Sequence, residues 1–136
     1  MSRSILIILL WGIAYAAKSQ VNTGISIDNK FSPISYSRFA WKVFIVANPE
    51  ILNSINQVEY YWDPSYATTG RIVKTDPRNP KFTLCSSGSG EFVLRIKIIF
   101  KSDYRPPMYL TYPLDLHTFE KRDSNYECNF ESEPIP

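Results

Sequence analysis

Histidine and cysteine are scarce in this chain, with one His and two Cys among 136 residues. The cysteines, Cys85 and Cys128, are far apart and form no CxxC pair, which argues against a dithiol redox site and against a zinc knuckle. With His117 as its single imidazole, the chain offers no metal-ligand set, and no metal or other cofactor is expected. The GxGxxG and Walker spacings that cradle phosphates are missing, as are internal repeats and heptads. No apolar run reaches the roughly 20 residues a membrane-spanning helix needs. Excess charge of one sign is also lacking beyond the first 19 residues: removing Arg3 and Lys18 leaves 13 basic and 13 acidic side chains. A neutral chain of this kind has no electrostatic footprint for nucleic acid.

The N-terminus has the layout of a secretory signal peptide. Arg3 supplies a positive start, Ile5 to Ala14 an unbroken apolar run, and Ala14 to Ser19 small residues that suit cleavage. Export to the periplasm or the extracellular space is therefore expected, without stable membrane insertion once the segment is cleaved. The alternative is a membrane anchor formed by the same segment left uncleaved. Cleavage after Ser19 leaves 117 residues, enough for one small domain. In an oxidising compartment Cys85 and Cys128 read as one disulfide, worth roughly 3–4 kcal/mol by loop entropy less any native strain; two separate thiols are the alternative.

Period-2 alternation dominates what remains. In EFVLRIKIIFK, Glu91 to Lys101, the residues Phe92, Leu94, Ile96, Ile98 and Phe100 share one face, opposite Arg95 and Lys97. Phe39, Trp41, Val43 and Ile45 do the same in SRFAWKVFIV. In MYLTYPLDL, Pro113 lacks an N–H and marks an edge strand or a bulge. Shorter strands are expected at Gly24 to Asp28, Gln57 to Trp62, Arg71 to Lys74 and Lys81 to Leu84. One or two helical turns are expected at NPEILNSI, with Asn48 as cap and Pro49 at the first helical position. About seven strands and one helical turn describe an all-β, two-sheet antiparallel sandwich. The segments are then 1–19 as signal peptide, 20–36 with a first short strand, 37–117 as the sandwich, and 118–136 as a polar tail that the disulfide ties back.

Two stretches could carry chemistry. In YYWDPSY, Tyr60 and Trp62 read as core, Tyr61 as outward, and Asp63-Pro64-Ser65-Tyr66 as a turn at the strand end. In CSSGSGEF, Gly88 and Gly90 permit positive φ and close approach of a ligand to main-chain N–H groups. A following strand, in place of a helix, removes the phosphate-loop reading. Ser65 and His117 could in principle form part of a hydrolase, but nothing local places the Ser on a nucleophile elbow, so no enzyme is expected.

The order of these pieces resembles a YEATS domain, and most resembles the YEATS-like domains of prokaryotic proteins. FAWKVFIV, NPEIL, VEYYWDPSY, KFTL, GSGEFVLRIKIIF and YLTYPLDL follow one another over about Ser37 to His117. The resemblance implies an immunoglobulin-like β-sandwich. In eukaryotic members a flat acyl-amide of a modified lysine is stacked between an aromatic of a His-x-Ser-Phe turn and an aromatic of a Gly-rich loop. By that match Ser65 and Tyr66 stand where the family has Ser/Thr and Phe, and Gly88, Gly90, Glu91 and Phe92 fit the second motif. Asp63 replaces the His, and Ser89 replaces the loop aromatic, which removes one wall of the stack. The ligand site implied is Asp63, Ser65, Tyr66, Gly88, Ser89 and Gly90. The function expected is a non-catalytic binding module of the bacterial cell envelope that takes a peptide, a small ligand or a partner protein; the alternative is an assembly domain that has lost its pocket.

Overall fold

The computed structural model describes residues 24–62, 70–75, 77–103 and 105–134. Their strands are β1 (Ser26–Pro33), β2 (Phe39–Val46), β3 (Ile55–Tyr61), β4 (Arg71–Lys74), β5 (Leu84–Gly88), β6 (Val93–Phe100) and β7 (Met108–Pro113). Among the described residues one α-helix, α1 (Pro49–Ser54), lies between β2 and β3. These strands pair antiparallel with one another, in a three-stranded sheet ordered β1-β2-β5 and a four-stranded sheet ordered β4-β3-β6-β7. This is the two-sheet sandwich that the alternating pattern dictates.

The alternation places the core. Leu94, Ile96, Ile98 and Phe100 of β6 are buried, while the intervening residues are half-exposed. Trp41, Val43 and Ile45 of β2 face them from the other sheet, with Val58, Tyr60 and Leu84 completing the interior. Each such side chain contributes about 1.5–3 kcal/mol by leaving water. The Asn48 side chain accepts the Ile51 N–H at 2.8 Å, and Pro49 occupies the first turn of α1, as the sequence requires. Pro113 closes β7, an edge strand, where its missing N–H costs nothing.

Several boundaries depart from the sequence reading. The first strand runs on to Pro33, well past Asp28. Residues 81–83 form no strand, and the strand falls on Leu84–Gly88, half of which reads as loop from its Ser and Gly content. The cause is local. Asn79 is buried, its amide donates to the Thr83 carbonyl at 2.9 Å, and its oxygen accepts the Thr83 N–H at 2.8 Å. These bonds turn the backbone through Phe82, which sits at φ 55°, a left-handed conformation uncommon for an aromatic residue. The Tyr60 hydroxyl donates to the Phe82 carbonyl at 2.7 Å and holds that turn against the core. The Ile45 N–H of β2 still donates to the Lys81 carbonyl at 3.0 Å before the turn, and the regular ladder with β2 begins after it, at Leu84.

Trp62 is also corrected: β3 ends at Tyr61, and Trp62 is half-buried and outside the core cluster. Glu59 and Tyr61 do point outward, yet both are buried. The Tyr61 hydroxyl donates to the Glu59 carboxylate, which also accepts from Gln57 Nε2 at 2.6 Å and lies 3.6 Å from Arg71. This polar cluster on the outer face of the four-stranded sheet is satisfied internally, and burial, then the bond to Glu59, pushes the Tyr61 phenol above its usual range.

A second polar device joins the two sheets. Asn29 is fully buried on β1; its amide donates to the Asp115 carbonyl at 2.8 Å, and its oxygen accepts from the Tyr112 hydroxyl and the Asp115 N–H.

Candidate groove at the glycine turn

Strand register brings four chain segments to one end of the sandwich. Pro33 pairs with Phe39, Phe39 with Gly88, Val93 with Pro113 and Tyr61 with Arg95. The β1–β2 hairpin, the β5–β6 turn, the end of β7 and the end of β3 therefore meet there. Beside the β5–β6 turn is an open groove of about 680 Å³. Its lining comes from Arg38, Trp41, the run from Ser87 to Phe92, and Ser132 to Pro134 of the tail. Trp41 and Phe92 meet edge to face with ring centroids 6.0 Å apart, so the groove has an aromatic floor. At its rim the Arg38 guanidinium donates to Ser87 Oγ at 2.8 Å.

Gly88 and Gly90 serve this groove differently from the expectation. Neither Gly88 nor Gly90 has positive φ, unlike Gly24. A methyl group on Gly88 would sit 3.9 Å from Trp41 Nε1, an ordinary contact, and one on Gly90 would meet nothing within 4 Å. The backbone does not demand glycine at either position. The missing side chains leave room.

Glu91 holds the turn in place. Its carboxylate accepts the Leu116 N–H at 3.0 Å and lies 2.8 Å from His117 Nδ1, tying the turn to the segment that follows β7. The bond to Glu91, helped by the negative charge of Asp115, raises the exposed His117 imidazole above its ordinary range. Partial burial alone would raise the Asp115 carboxyl. Hydrogen bonds from the Thr118 hydroxyl and from the Thr118 and His117 N–H groups outweigh that effect and hold it at about 2. Glu91, Asp115 and His117 bring three potential ligand atoms within 4.8 Å of one another, but each is already engaged in these bonds.

The tail crosses the outer face of the three-stranded sheet as a strap. Arg122 bridges Phe31 on β1, and the Asp123 N–H donates to the Phe31 carbonyl at 2.9 Å. Midway, Cys128 is bonded to Cys85. At the far side Ser132 bridges Cys85 in parallel, and the Glu133 N–H donates to the Cys85 carbonyl at 2.8 Å. Lysines fasten it: Lys30 to the Glu120 carbonyl, Lys42 to the Glu127 carbonyl, Lys74 to the Glu133 carboxylate and Lys121 to Asp28. Lys42 also lies over the Tyr126 ring, whose hydroxyl burial pushes up to about 12.

Of the residues singled out in the sequence, Gly88, Ser89 and Gly90 lie together on the groove, and Cys85 and Cys128 are joined. Asp63, Ser65 and Tyr66 lie outside the described residues, and with them any pairing of Ser65 with His117. Sequence reasoning missed Arg38, Trp41 as floor, and the part of the tail that lines the groove. For the tail, the position of Cys128 near the chain end was the available signal.

Two packed antiparallel sheets, with an open groove at the loop end, define an immunoglobulin-like β-sandwich. The chain belongs to the YEATS family, whose sequence model matches residues 36–118. Domains of this family bind peptides or proteins and are generally not enzymes. No curated protein matches the chain. Among the described residues no helix is long and apolar enough to cross a membrane, and the disulfide fits an oxidising compartment.

Proposed function

We propose that this protein is an exported, non-catalytic YEATS module that binds a peptide in the groove beside Gly88, Ser89 and Gly90. The observation that carries the reading is the bareness of this turn: two glycines that the backbone does not need keep open a groove with an aromatic floor and a cationic rim. Ser89 stands where an aromatic would close a stack, which favours a ligand held by hydrogen bonds over a ring-stacked acyl-lysine. Export draws its support from the signal-like N-terminus and the disulfide.

The test is fluorescence anisotropy with labelled short peptides, carrying unmodified, acetylated or crotonylated lysine, against wild type and Gly90→Leu. Wild type should bind, and Gly90→Leu should keep its fold and bind at least about tenfold more weakly, as expected when more than about 1.4 kcal/mol is lost. Equal affinity for the two forms would sink the groove as the site. Failure of every peptide would favour the second reading, an assembly domain without a working pocket, for which Ser89 is the motive. Mass spectrometry of culture fractions checks export: a mature chain starting near Gln20 supports it, and an intact Met1 chain confined to the cytoplasm speaks against it.

A further inference from the structure

We infer that the C-terminal strap is the second wall of the binding groove and selects an extended peptide main chain as its ligand. The inference rests on the reading of the groove as a ligand site and goes beyond it. The family match ends at residue 118, so Ser132 to Pro134 lie outside the part of the chain that defines the family, yet they line the same groove as the glycine turn.

Their position is built. Cys85 holds the strap twice, through its sulfur to Cys128 and through its carbonyl to the Glu133 N–H. The neighbouring Ser86 hydroxyl donates to the Glu133 carbonyl. The Glu133 carboxylate is drawn back to Lys74 at 2.9 Å, which turns that charge toward β4. The wall so formed offers the Ser132 hydroxyl, backbone groups and the Pro134 ring. Across from it stand Ser87, Ser89 and the backbone of two glycines. Among the described residues the groove has polar backbone on both sides and aromatic rings only on its floor, which fits an extended chain with small side chains; no two of these residues' rings face each other across it as a flat acyl-amide needs.

Two variants separate this wall from general stability. Cys128→Ser removes the covalent tie, and Glu133→Pro removes the N–H that bonds Cys85 while leaving the disulfide intact. Hydrogen–deuterium exchange at Ser87, Ser89 and Gly90 is read on both, together with anisotropy of labelled unmodified and crotonyl-lysine peptides. Expected are exchange about tenfold faster at the turn, binding of the unmodified peptide at least about tenfold weaker, and a narrowed preference for it over the crotonylated one. Wild-type exchange and affinity in both variants would overturn the proposal. So would a wild-type preference for the crotonylated peptide. Faster exchange with no peptide bound by wild type would instead overturn the ligand reading of the groove, and with it the selecting role of the strap.

Discussion

Glu91 and His117 stand 2.8 Å apart, carboxylate Oε2 to imidazole Nδ1, and the same carboxylate oxygen accepts the Leu116 N–H. This pair fixes the glycine turn to the end of β7. Because the folded imidazole is raised above its usual 6.5, its contribution to stability is fully present below pH 6.5 and is lost as pH rises through the folded value. His117 is the only His, so one set of imidazole NMR signals reports it. Its titration midpoint should lie above 6.5 in wild type and fall in Glu91→Gln; an unchanged midpoint would show that Glu91 does not set it.

Asp115 gives the opposite sign. Its folded carboxyl titrates at about 2 against an ordinary 3.8. The stability it contributes is present above pH 3.8 and fades as pH falls toward 2. Asp115→Asn should therefore flatten the acid side of the stability curve, measured by urea denaturation at several pH values between 2 and 5. An acid limb as steep as that of wild type would assign the loss to other carboxylates.

Asn29 is buried with three side-chain hydrogen bonds, one to Tyr112 on β7 of the other sheet and two to Asp115 just beyond it. Asn29→Ala leaves the Tyr112 hydroxyl and the Asp115 backbone without partners and should cost about 2–3 kcal/mol. Tyr112→Phe removes one donor only, and the Asn29 oxygen still accepts the Asp115 N–H, so about 1 kcal/mol is expected. Denaturant midpoints for the two variants check the order. A milder effect for Asn29→Ala than for Tyr112→Phe would contradict it.

Reducing the disulfide opens a loop with a sequence separation of 43 residues and should lower unfolding stability by roughly 3–4 kcal/mol. The four lysine contacts that fasten the strap remain, so the loss should grow with salt as these contacts are screened. Thermal unfolding with and without a reductant, at low and high salt, measures both effects. A reduced protein as stable as the oxidised one would show that the bridge constrains nothing the unfolded chain explores.

The strands and the helix cap were legible because they depend on neighbours in sequence. Alternation in β6 needs only the two faces of a strand, and Asn48-Pro49 needs only the first turn of α1. What stayed hidden depends on distant partners. The Asn79 clip decides where β5 begins, and pairing with β2 overrides the turn preference of Ser and Gly. Trp62 fits the alternation, but β3 ends one residue before it. Nothing local in the sequence pairs Lys30 and Lys42 with their partners, which are carbonyls 90 and 85 positions away in the chain. The glycine turn was legible through its family motif, and the tail residues that line the same groove were not, since that motif stops short of the tail.

The two ends of the strap also close both outer margins of the three-stranded sheet, with Asp123 bonded to Phe31 on β1 and Glu133 to Cys85 on β5. Unpaired strand margins recruit strands from other molecules, and that is a route to aggregation. The strap therefore acts as a guard against self-association as well as a fastening. A chain cut after Thr118 should gain a concentration-dependent oligomer visible by light scattering, even where its sandwich remains folded; a cut chain that stays monomeric would show that the bare margins are harmless.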